Sequence, residues 1–477
     1  MLTLDEVWTC LSGTQHAIPK WPSVALSEVV SDPKRAGPGC LFVALPDRPV
    51  SPETMEQLAR QGAVAFLARQ ALPSNRPIRW LPIEQAGGPE SLQVVTLPVG
   101  LIVGDVGAAV QKIAAAWRAK SSAQGVGLFG SEGLRTLQRL TQLVLSQRFQ
   151  TNSPDGLACD ALSAALAVLA LRPYTQRLVL RLNLNDAAGF EFVQQVAQLR
   201  LITLNNLWPD SPLASGPLSE RFLALLTPET TLVINADDPE IQRLAGRSPA
   251  KVFSYGVTHS SGCDLWASHI ESQGREGLRL RLHYRGDIVH VRIPLLGRDS
   301  VHTALAASAL GLVSGLSWDE IVAGLRAMSA QLHLIMTPGL RGATFLEDSY
   351  DATPASTLSA LNLLDELPGR KVAVLGDMME LGHLEAEEHK KVGRRVMEMA
   401  AYLITLGSLG WIIGQEAVSC GMPAAQVYAA ADQADAVNRL RDVLQPGDLV
   451  LVAGARWTKL KQVVDALLDL QSALCEI

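Results

Sequence analysis

A three-domain α/β protein is predicted from three features of the sequence. Strand-like runs alternate with helical segments over most of the chain. A strand, a glycine turn and a helix follow one another at residues 125–147. Apolar and polar residues alternate one by one on both sides of Arg285-Gly286-Asp287. The 477 residues are 48% hydrophobic and 18% charged, which is the composition of a folded globular protein. At about 150 residues per domain, this length corresponds to roughly three domains.

Charge and hydropathy exclude several classes of protein. The net charge of −6 argues against binding to nucleic acid. The apolar run at 161–171 is too short to span a bilayer, so no membrane insertion is expected. The N-terminus lacks a basic segment followed by a long apolar one, which predicts no secretion signal and a cytoplasmic protein. No C-x-x-C pair occurs, and reduced thiols without a zinc site are expected for the six scattered cysteines, Cys10, Cys40, Cys159, Cys263, Cys420 and Cys475.

The first hundred residues predict a small α/β domain. LDEVWTCLSG is apolar at helical spacing and ends at Gly13. The strand-like run GCLFVAL at 39–45 follows the turn-forming residues 32–38, and GAVAFLA is a second such run. We therefore place the first domain at residues 1–100.

The second part, residues 101–329, begins like a mononucleotide-binding unit. A helix at Val106–Ala119 precedes the strand GVGLF, a glycine turn at 130–133 and a helix at 134–147. Further along, LRLRLHYRGDIVHVRIPLL alternates apolar and polar residues on both sides of its turn, which predicts a β-hairpin.

The third part, residues 330–477, alternates strands and helices. The strand candidates are ATFLED, KVAVLGD, YLITLG and DLVLVAG, and helical segments separate them. This β-α-β order predicts a mostly parallel sheet with right-handed crossovers.

Five segments of the chain resemble the Mur ligase family, and within it the branch that adds D-alanyl-D-alanine. The third part contains EDSYDATPAS and VAVLGDMMELG, followed by His389; the second contains INADDPE and VFSYG; the first contains DPKRAGPGCLFVAL. The resemblance implies a nucleotide-sugar-binding-like domain at 1–100, a central P-loop-like ATPase domain at 101–329 and a C-terminal Rossmann-like ligase domain at 330–477.

The resemblance also implies a reaction. Such ligases transfer the ATP γ-phosphate to the carboxylate of a UDP-muramoyl peptide, and an amine then attacks the acyl phosphate. Because the reactants carry many negative charges, the chemistry needs cations, chiefly Mg²⁺ and a lysine of the phosphate loop. ATP and Mg²⁺ are thus cofactors by family resemblance only.

The phosphate loop departs from the family pattern G-S-x-G-K-T-T. Four residues of this pattern are retained and form a remnant of the phosphate loop: Gly130, Ser131, Gly133 and Thr136. Leu134 stands at the lysine position and cannot neutralise a phosphate. Arg135 is a candidate replacement cation, but it lies about 100° further around the helix. A tight strand–helix turn without a nucleotide is the favoured interpretation, and nucleotide binding is the alternative.

Other cationic and metal-binding positions of the family are changed as well. No lysine occurs between Lys120 and Lys251, and the family's carbamoylated lysine falls near Ser219. Arg181 stands where the family has a Mg²⁺-binding glutamate, and it is the second candidate replacement cation. No metal ligand and no catalytic residue is therefore assigned.

Several matching positions are retained, and the resemblance implies their roles. The amine-substrate side would contain Asp377, Met378, Glu380 and His389. The nucleotide-sugar side would contain Asp32 and Lys34. The residues facing the nucleotide or the domain interface would be Asn235, Asp237, Asp348, Tyr350 and Arg456. For Asp348 and Tyr350, a purely structural role is as good an interpretation as a functional one. His389 lies in the charged segment EAEEHKK, where a solvated helix face is at least as good an interpretation as a binding role.

Three functions are compatible with this pattern. The first is a Mur ligase homologue that has lost most or all ATP-driven ligation and binds, scaffolds or regulates, with a UDP-muramoyl peptide or another cell-wall protein as partner. The second is a divergent active ligase that uses Arg135 and Arg181. The third is a non-enzymatic nucleotide-sugar binder. The simultaneous loss of the loop lysine, the carbamoyl-lysine, the metal-binding glutamate and the metal-binding histidine of the family favours the first.

Overall fold

The computed structural model describes most of the chain. The described residues are 2–13, 19–46, 48–85, 94–130, 133–154, 161–182, 196, 198–207, 213, 216–257, 262–272, 277–295, 300–328, 335–348, 352, 354–378 and 385–475. They form three sheets and divide into two compact units. One unit contains Met1–Tyr255 with Ala306–Ile321, and the other contains Gly256–Leu305 with Val322–Ile477.

The N-terminal sheet contains five parallel strands in the order β1-β2-β3-β5-β4. The strands are β1 Val29–Val30, β2 Leu41–Val43, β3 Ala65–Ala68, β4 Arg79–Pro82 and β5 Val99–Ile102, and the helices are α1 Leu4–Ser12 and α2 Pro52–Arg60. The side chain of Thr3 accepts from the Glu6 N–H and that of Glu6 from the Thr3 N–H, so a capping box begins α1. Gly13 ends the helix at φ 70°, as its sequence predicts.

The central parallel strands run in the order β11-β10-β9-β6-β8-β7. They are β6 Gln124–Phe129, β7 Thr151–Asn152, β8 Arg177–Arg181, β9 Leu199–Leu204, β10 Thr231–Asn235 and β11 Lys251–Gly256. The accompanying helices are α3 Val106–Ala119, α4 Leu134–Leu145, α5 Ala161–Leu169, α6 Pro217–Leu225 and α7 Pro239–Ala245. The predicted strand–turn–helix unit is confirmed, with β6 leading to α4.

An antiparallel meander follows, made of β12 Leu265–Ser272, β13 Leu278–Tyr284 and β14 Asp287–Ile293. Arg285 and Gly286 form its two-residue turn at φ 48° and φ 93°, the backbone that such a hairpin requires. The predicted hairpin is therefore confirmed. Two further helices are α8 Ser300–Val313 and α9 Trp318–Arg326.

The C-terminal sheet has the order β15-β16-β20-β17-β18-β19, and only β15 is antiparallel. Its strands are β15 Ile335–Pro338, β16 Thr344–Asp348, β17 Lys371–Gly376, β18 Tyr402–Leu406, β19 Val427–Ala430 and β20 Leu449–Ala453. Its helices are α10 Pro354–Glu366, α11 Glu385–Met399, α12 Ser408–Ser419, α13 Gln433–Val443 and α14 Lys461–Cys475. The mixed α/β fold with a mostly parallel C-terminal sheet agrees with the sequence prediction.

Three further properties apply to the described residues. No helix among them has the length and apolarity that crossing a membrane requires. Cys10, Cys40, Cys263 and Cys420 are free thiols. No cluster of three or more histidine, cysteine or carboxylate side chains with metal-binding geometry occurs in this part of the chain. The domain boundaries at 100 and 329 stay a prediction.

Candidate functional site

The central candidate site lies at the carboxyl edge of the parallel strands β6, β8, β9 and β10. Their parallel register brings the ends of the strands to one edge, with Leu128 opposite Arg181 and Phe129 opposite Leu204. Gly130, Arg181 and Asn235 therefore all lie at or next to this edge, where ligands of open α/β sheets bind.

A leucine side chain packs against the start of the glycine turn. Leu134 is 9% exposed, and its Cδ2 lies 3.3 Å from the place that a Cβ on Gly130 would take. The side-chain oxygen of Asn206 lies 3.1 Å from the same place. Gly133, at φ 69°, begins α4 without a side-chain cap. The helix N-terminus is thus present, with the apolar Leu134 side chain beside it, while the assignment of Leu134 to the family's lysine position stays a prediction. Ser131 lies outside the described residues.

The two candidate cations lie on different elements. Arg135 and Thr136 belong to the first turn of α4, and both side chains are partly buried. Arg181 is the last residue of β8 and is also partly buried. Arg181 thus ends β8, which pairs with β6, while its role and that of Arg135 stay predictions.

A buried tyrosine that the sequence did not single out joins the neighbouring strands. The Tyr255 hydroxyl donates to Oδ1 of Asn205 over 2.8 Å, and the Asn205 N–H donates to the Phe129 carbonyl over 3.1 Å. Burial, with the charges of Asp237 and Asp238, raises the pKa of Tyr255 well above its ordinary value. The phenol is therefore a permanent donor that links the ends of β11, β9 and β6.

The INADDPE segment makes a turn and a helix cap. Oδ1 of Asn235 accepts the Asp237 N–H at 3.0 Å. Oδ1 of Asp238 accepts the N–H groups at the start of α7, and its Oδ2 accepts the Leu207 N–H at 2.8 Å. Asn235 thus closes the turn after β10, and Asp238 ties that turn to the segment after β9. The nucleotide role implied for Asn235 and Asp237 stays a prediction.

These residues do not fit a magnesium–ATP complex of the family type. Leu134 provides no charge, and Ser219, near the expected carbamoyl-lysine, is completely buried on α6. Its Oγ has no hydrogen-bond partner within the described part of the chain. A hydroxyl in an apolar setting does not replace a carbamate as a metal ligand. No chemical step through ATP or Mg²⁺ is therefore derived for this chain.

On the nucleotide-sugar side, Asp32 and Lys34 belong to one short turn. Oδ1 of Asp32 accepts the backbone N–H of Lys34 at 2.9 Å and caps the 3-10 turn Pro33–Arg35. Lys34 and its neighbour Arg35 are both exposed in this turn. The turn presents positive charge to solvent, and a role in binding a nucleotide sugar stays a prediction.

In the C-terminal unit, Asp377 holds three elements together where β17 ends. Its Oδ1 accepts the N–H groups of Leu409 and Gly410 at 2.9 and 2.8 Å, which caps α12. Its carbonyl accepts the Ala455 N–H at 2.7 Å, which ties the turn to the end of β20. A carboxylate at a helix N-terminus is favourable both for hydrogen bonding and for the helix dipole.

His389 is completely buried, so the solvated-face interpretation of its helix position is wrong. Its Nε2 accepts the Met378 N–H at 3.0 Å, and its Nδ1 lies 2.6 Å from the Glu385 carbonyl. The charged neighbours in EAEEHKK occupy the outer side of α11, while His389 lies on the inner side with Val392, Gly393 and Val396. His389 therefore joins α11 to the residue that follows Asp377.

The remaining predicted positions are only partly described. The backbone of Asp348 ends β16 opposite Ala453, and the backbone of Arg456 begins the 3-10 turn after β20. Adjacent β16 and β20 thus place these two backbone positions near one edge. Tyr350 and Glu380 lie outside the described residues.

Two family models match this chain. The Mur ligase middle domain matches residues 219–311, and the glutamate ligase domain of Mur ligases matches residues 333–456. The chain therefore contains two Mur ligase domains and has Mur ligase homologues over almost its full length. The branch that it resembles is MurF, the UDP-N-acetylmuramoyl-tripeptide–D-alanyl-D-alanine ligases.

Relatives and solved structures extend this resemblance over almost the whole chain. The ligase of that name from Escherichia coli is 28% identical, and that from Bacillus subtilis 25% identical, each over 98% of both chains. A crystal structure of MurF from Acinetobacter baumannii superimposes with a TM-score of 0.77 at 22% identity and covers 98% of both chains. MurF from Thermotoga maritima in complex with ADP gives a TM-score of 0.69 at 16% identity, with 93% of this chain covered and 97% of that one.

Proposed function

We propose that this chain is a MurF-like protein of peptidoglycan precursor synthesis that binds a UDP-muramoyl peptide in the cytoplasm and has little or no ATP-driven ligase activity. Its role is then to bind, scaffold or regulate, with another Mur-type or cell-wall protein as partner. The observation that carries the proposal is the position of Leu134 against Gly130, at the start of the phosphate loop.

The argument is electrostatic. Forming an acyl phosphate from ATP and a carboxylate brings many negative charges together, and positioned cations stabilise that charge. Removing one such stabilising group costs on the order of 10²–10³ in rate. The resemblance puts Leu134 at the position of the lysine, a phosphate-binding cation, and Ser219 near the position of the carbamoyl-lysine, whose carbamate is a metal ligand. Two stabilising groups of the family are therefore not expected in this chain. Their effects are not additive, but the combined loss leaves little catalysis.

A divergent active ligase is the second candidate. It is favoured by the resemblance to curated ligases over 98% of both chains, and by two arginines at the phosphate-loop helix and at the end of β8. Arg135 and Arg181 would then supply the missing positive charge. Arginine remains charged at every working pH and binds phosphate in a planar fork, unlike lysine.

One assay separates the two. The full-length protein is given Mg²⁺, ATP, the UDP-muramoyl tripeptide and D-alanyl-D-alanine; ADP release and the mass of the amide product are followed. The variants are Arg135→Ala, Arg181→Ala and the double change Leu134→Lys with Arg135→Thr, and Arg139→Ala on the exposed side of the same helix is the matched control. Calorimetry with the UDP-muramoyl tripeptide alone, and separately with Mg²⁺ and ADP, measures binding without turnover.

The proposal expects tripeptide binding without product in the wild type, and a gain of ADP binding in the double variant. Product formed by the wild type, lost in Arg135→Ala or Arg181→Ala and kept in Arg139→Ala, would establish the active ligase instead. Failure of the folded wild type to bind the tripeptide would reject both functions.

A further inference from the structure

The outer face of the meander β12–β14 is cationic. On β13, Leu278, Leu280 and Leu282 are at most 1% exposed and form the inner face. The alternate residues Arg279 and Arg281 therefore stand on the outer face. This positive surface belongs to a chain whose net charge is −6.

Strand β14 continues the same pattern. Val291 and Ile293 are buried, whereas Ile288, His290 and Arg292 are exposed on the outer side. In the register of the hairpin, Arg279 is opposite Arg292, and Arg281 is opposite His290. Like charges directly opposite each other in a sheet are destabilising. Glu271, opposite Arg279 on β12, is the one carboxylate in these register rows. The outward side chains of these rows thus include three arginines and one carboxylate, a surface that suits an anionic ligand.

Strand β14 is also an edge. Among the strands that the structure describes, it pairs with β13 alone, over seven residues in continuous register. Its sequence DIVHVRI contains no proline or glycine, and Ile288 is 57% exposed. Proteins usually protect such an edge with proline, a bulge or a covering element, because its outward backbone groups are ready to pair with another strand.

We propose that β14 binds an extended acidic segment of a partner protein as an additional strand. In an added strand, alternate side chains lie on the outer face about 7 Å apart, at two residues of roughly 3.4 Å each. Arg292 and His290 have this same two-residue spacing, so carboxylates at every second position of the partner lie beside them. The backbone of the edge supplies the affinity, and the outward arginines Arg279, Arg281 and Arg292 select the acidic sequence.

The strand edge distinguishes this partner from other polyanions. A nucleic acid or an anionic lipid surface can neutralise arginines, but neither offers peptide N–H and C=O groups to a β-strand. An extended peptide offers both the charge and the backbone pairing. The proposal does not depend on whether the chain is an active ligase.

The test uses the full-length protein and a fluorescein-labelled probe, acetyl-Gly-Glu-Val-Glu-Val-Glu-Val-Gly-amide, followed by fluorescence anisotropy. Matched probes carry lysine for glutamate, or the same residues as a Glu-Glu-Glu-Val-Val-Val block. Two further probes are N-methylated on alternate residues, one on each edge of the peptide, which removes N–H groups without changing charge. Vesicles with anionic lipid and a single-stranded oligonucleotide compete in separate titrations.

We expect saturable binding of the alternating acidic probe, roughly ten-fold weaker binding in Arg279→Glu and Arg292→Glu, and loss of binding for one N-methylated probe but not the other. Arg60→Glu, on an exposed helix of the other unit, is the control and leaves binding unchanged. Both test variants replace a like-charge pair by an opposite-charge pair, so they are expected to fold, which thermal unfolding verifies.

Absence of saturable binding would overturn the proposal. Equal binding of the lysine or block probes, equal effects of both N-methylated probes, or full competition by vesicles or the oligonucleotide would also overturn it. Those results would indicate attraction by charge alone, without an added strand.

Discussion

The backbone N–H of Met378 donates to Nε2 of His389 over 3.0 Å, and this bond fixes the protonation of a buried imidazole. Nε2 must be unprotonated to accept. Nδ1 lies 2.6 Å from the Glu385 carbonyl, which only accepts, so Nδ1 carries the proton. His389 is therefore a neutral imidazole with one defined tautomer, and it connects the end of β17 to the first turn of α11.

Removing this imidazole is expected to destabilise the protein. His389→Ala leaves the Met378 N–H buried without its acceptor and opens a cavity, which costs about 2–4 kcal/mol of unfolding free energy. Urea unfolding followed by circular dichroism measures the change. Lys390→Ala, the exposed neighbour on the same helix, is the control and should leave the unfolding free energy unchanged. Equal stability of the two variants would contradict the role assigned to the imidazole.

The contribution of His389 should also depend on pH. Burial lowers its pKa below the ordinary 6.5, while the Glu385 carbonyl and the charges of Asp377, Glu385 and Glu388 act in the opposite direction. As the pH falls below about 6.5, the unfolded chain takes up a proton that the folded protein resists, so unfolding becomes more favourable. The stabilisation is thus fully present above that pH and is lost as the pH falls.

Measuring the unfolding free energies of the wild type and His389→Ala between pH 7.5 and pH 5 tests this sign. We expect the difference between the two proteins to shrink towards acid pH, while the difference between wild type and Lys390→Ala stays constant. A difference that grows towards acid pH would mean that the folded state binds the imidazolium instead.

Two glycines with the same kind of backbone test the cap made by Asp377. Gly407 has φ 95° and Gly421 has φ 117°, so an alanine is strained at both, by about 1–2 kcal/mol. At Gly407 the new Cβ would also overlap the Asp377 carboxylate, whereas at Gly421 it would meet nothing within 4 Å. The Gly407→Ala variant should therefore have a lower unfolding free energy than the Gly421→Ala variant, by about 1–2 kcal/mol, which is the value of a helix cap. Thermal unfolding measures the difference. Equal losses would show that the Asp377 cap adapts.

A buried ion pair provides the fourth prediction. Asp448 is 1% exposed; its Oδ2 lies 2.7 Å from Nη1 of Arg370 and also accepts the Gln445 N–H. Asp448→Ala removes the buried acceptor of the Gln445 N–H and the partner of Arg370, which is itself 29% exposed, and should cost about 1–3 kcal/mol of unfolding free energy. Glu387→Ala removes an exposed partner of Lys390 and should cause no measurable change in urea unfolding. Similar effects of the two substitutions would contradict the importance of burial.

Much of the fold was predictable because local patterns determine it. The alternation of LRLRLHY and DIVHVRI around Arg285-Gly286-Asp287 predicts the hairpin, and Gly13 predicts the end of α1. The expectation that His389 lies on a solvated helix face was wrong because most of the residues beside it in EAEEHKK are charged. The helical spacing was nevertheless informative: His389, Val392, Gly393 and Val396 form one buried stripe on α11.

The candidate site was less predictable because its contacts are distant along the chain. The substitution at Leu134 is visible in the sequence, but the packing of its side chain against Gly130 depends on the path of the turn. The hydrogen bond from Tyr255 to Asn205 joins residues fifty positions apart on different strands. No local pattern predicts such a contact, since it arises from the order of strands in the sheet.

The last strand of the C-terminal sheet has a consequence for biosynthesis. Because β20 lies between β16 and β17, those earlier strands cannot acquire their native neighbour until residues 449–453 have left the ribosome. Until then, two apolar strand edges stand open during translation and invite mispairing. Folding of this sheet therefore waits for residues 449–453 and requires the closing of a loop of about a hundred residues between β16 and β20. A chain that stalls before residue 449 is then a substrate for chaperones and proteases.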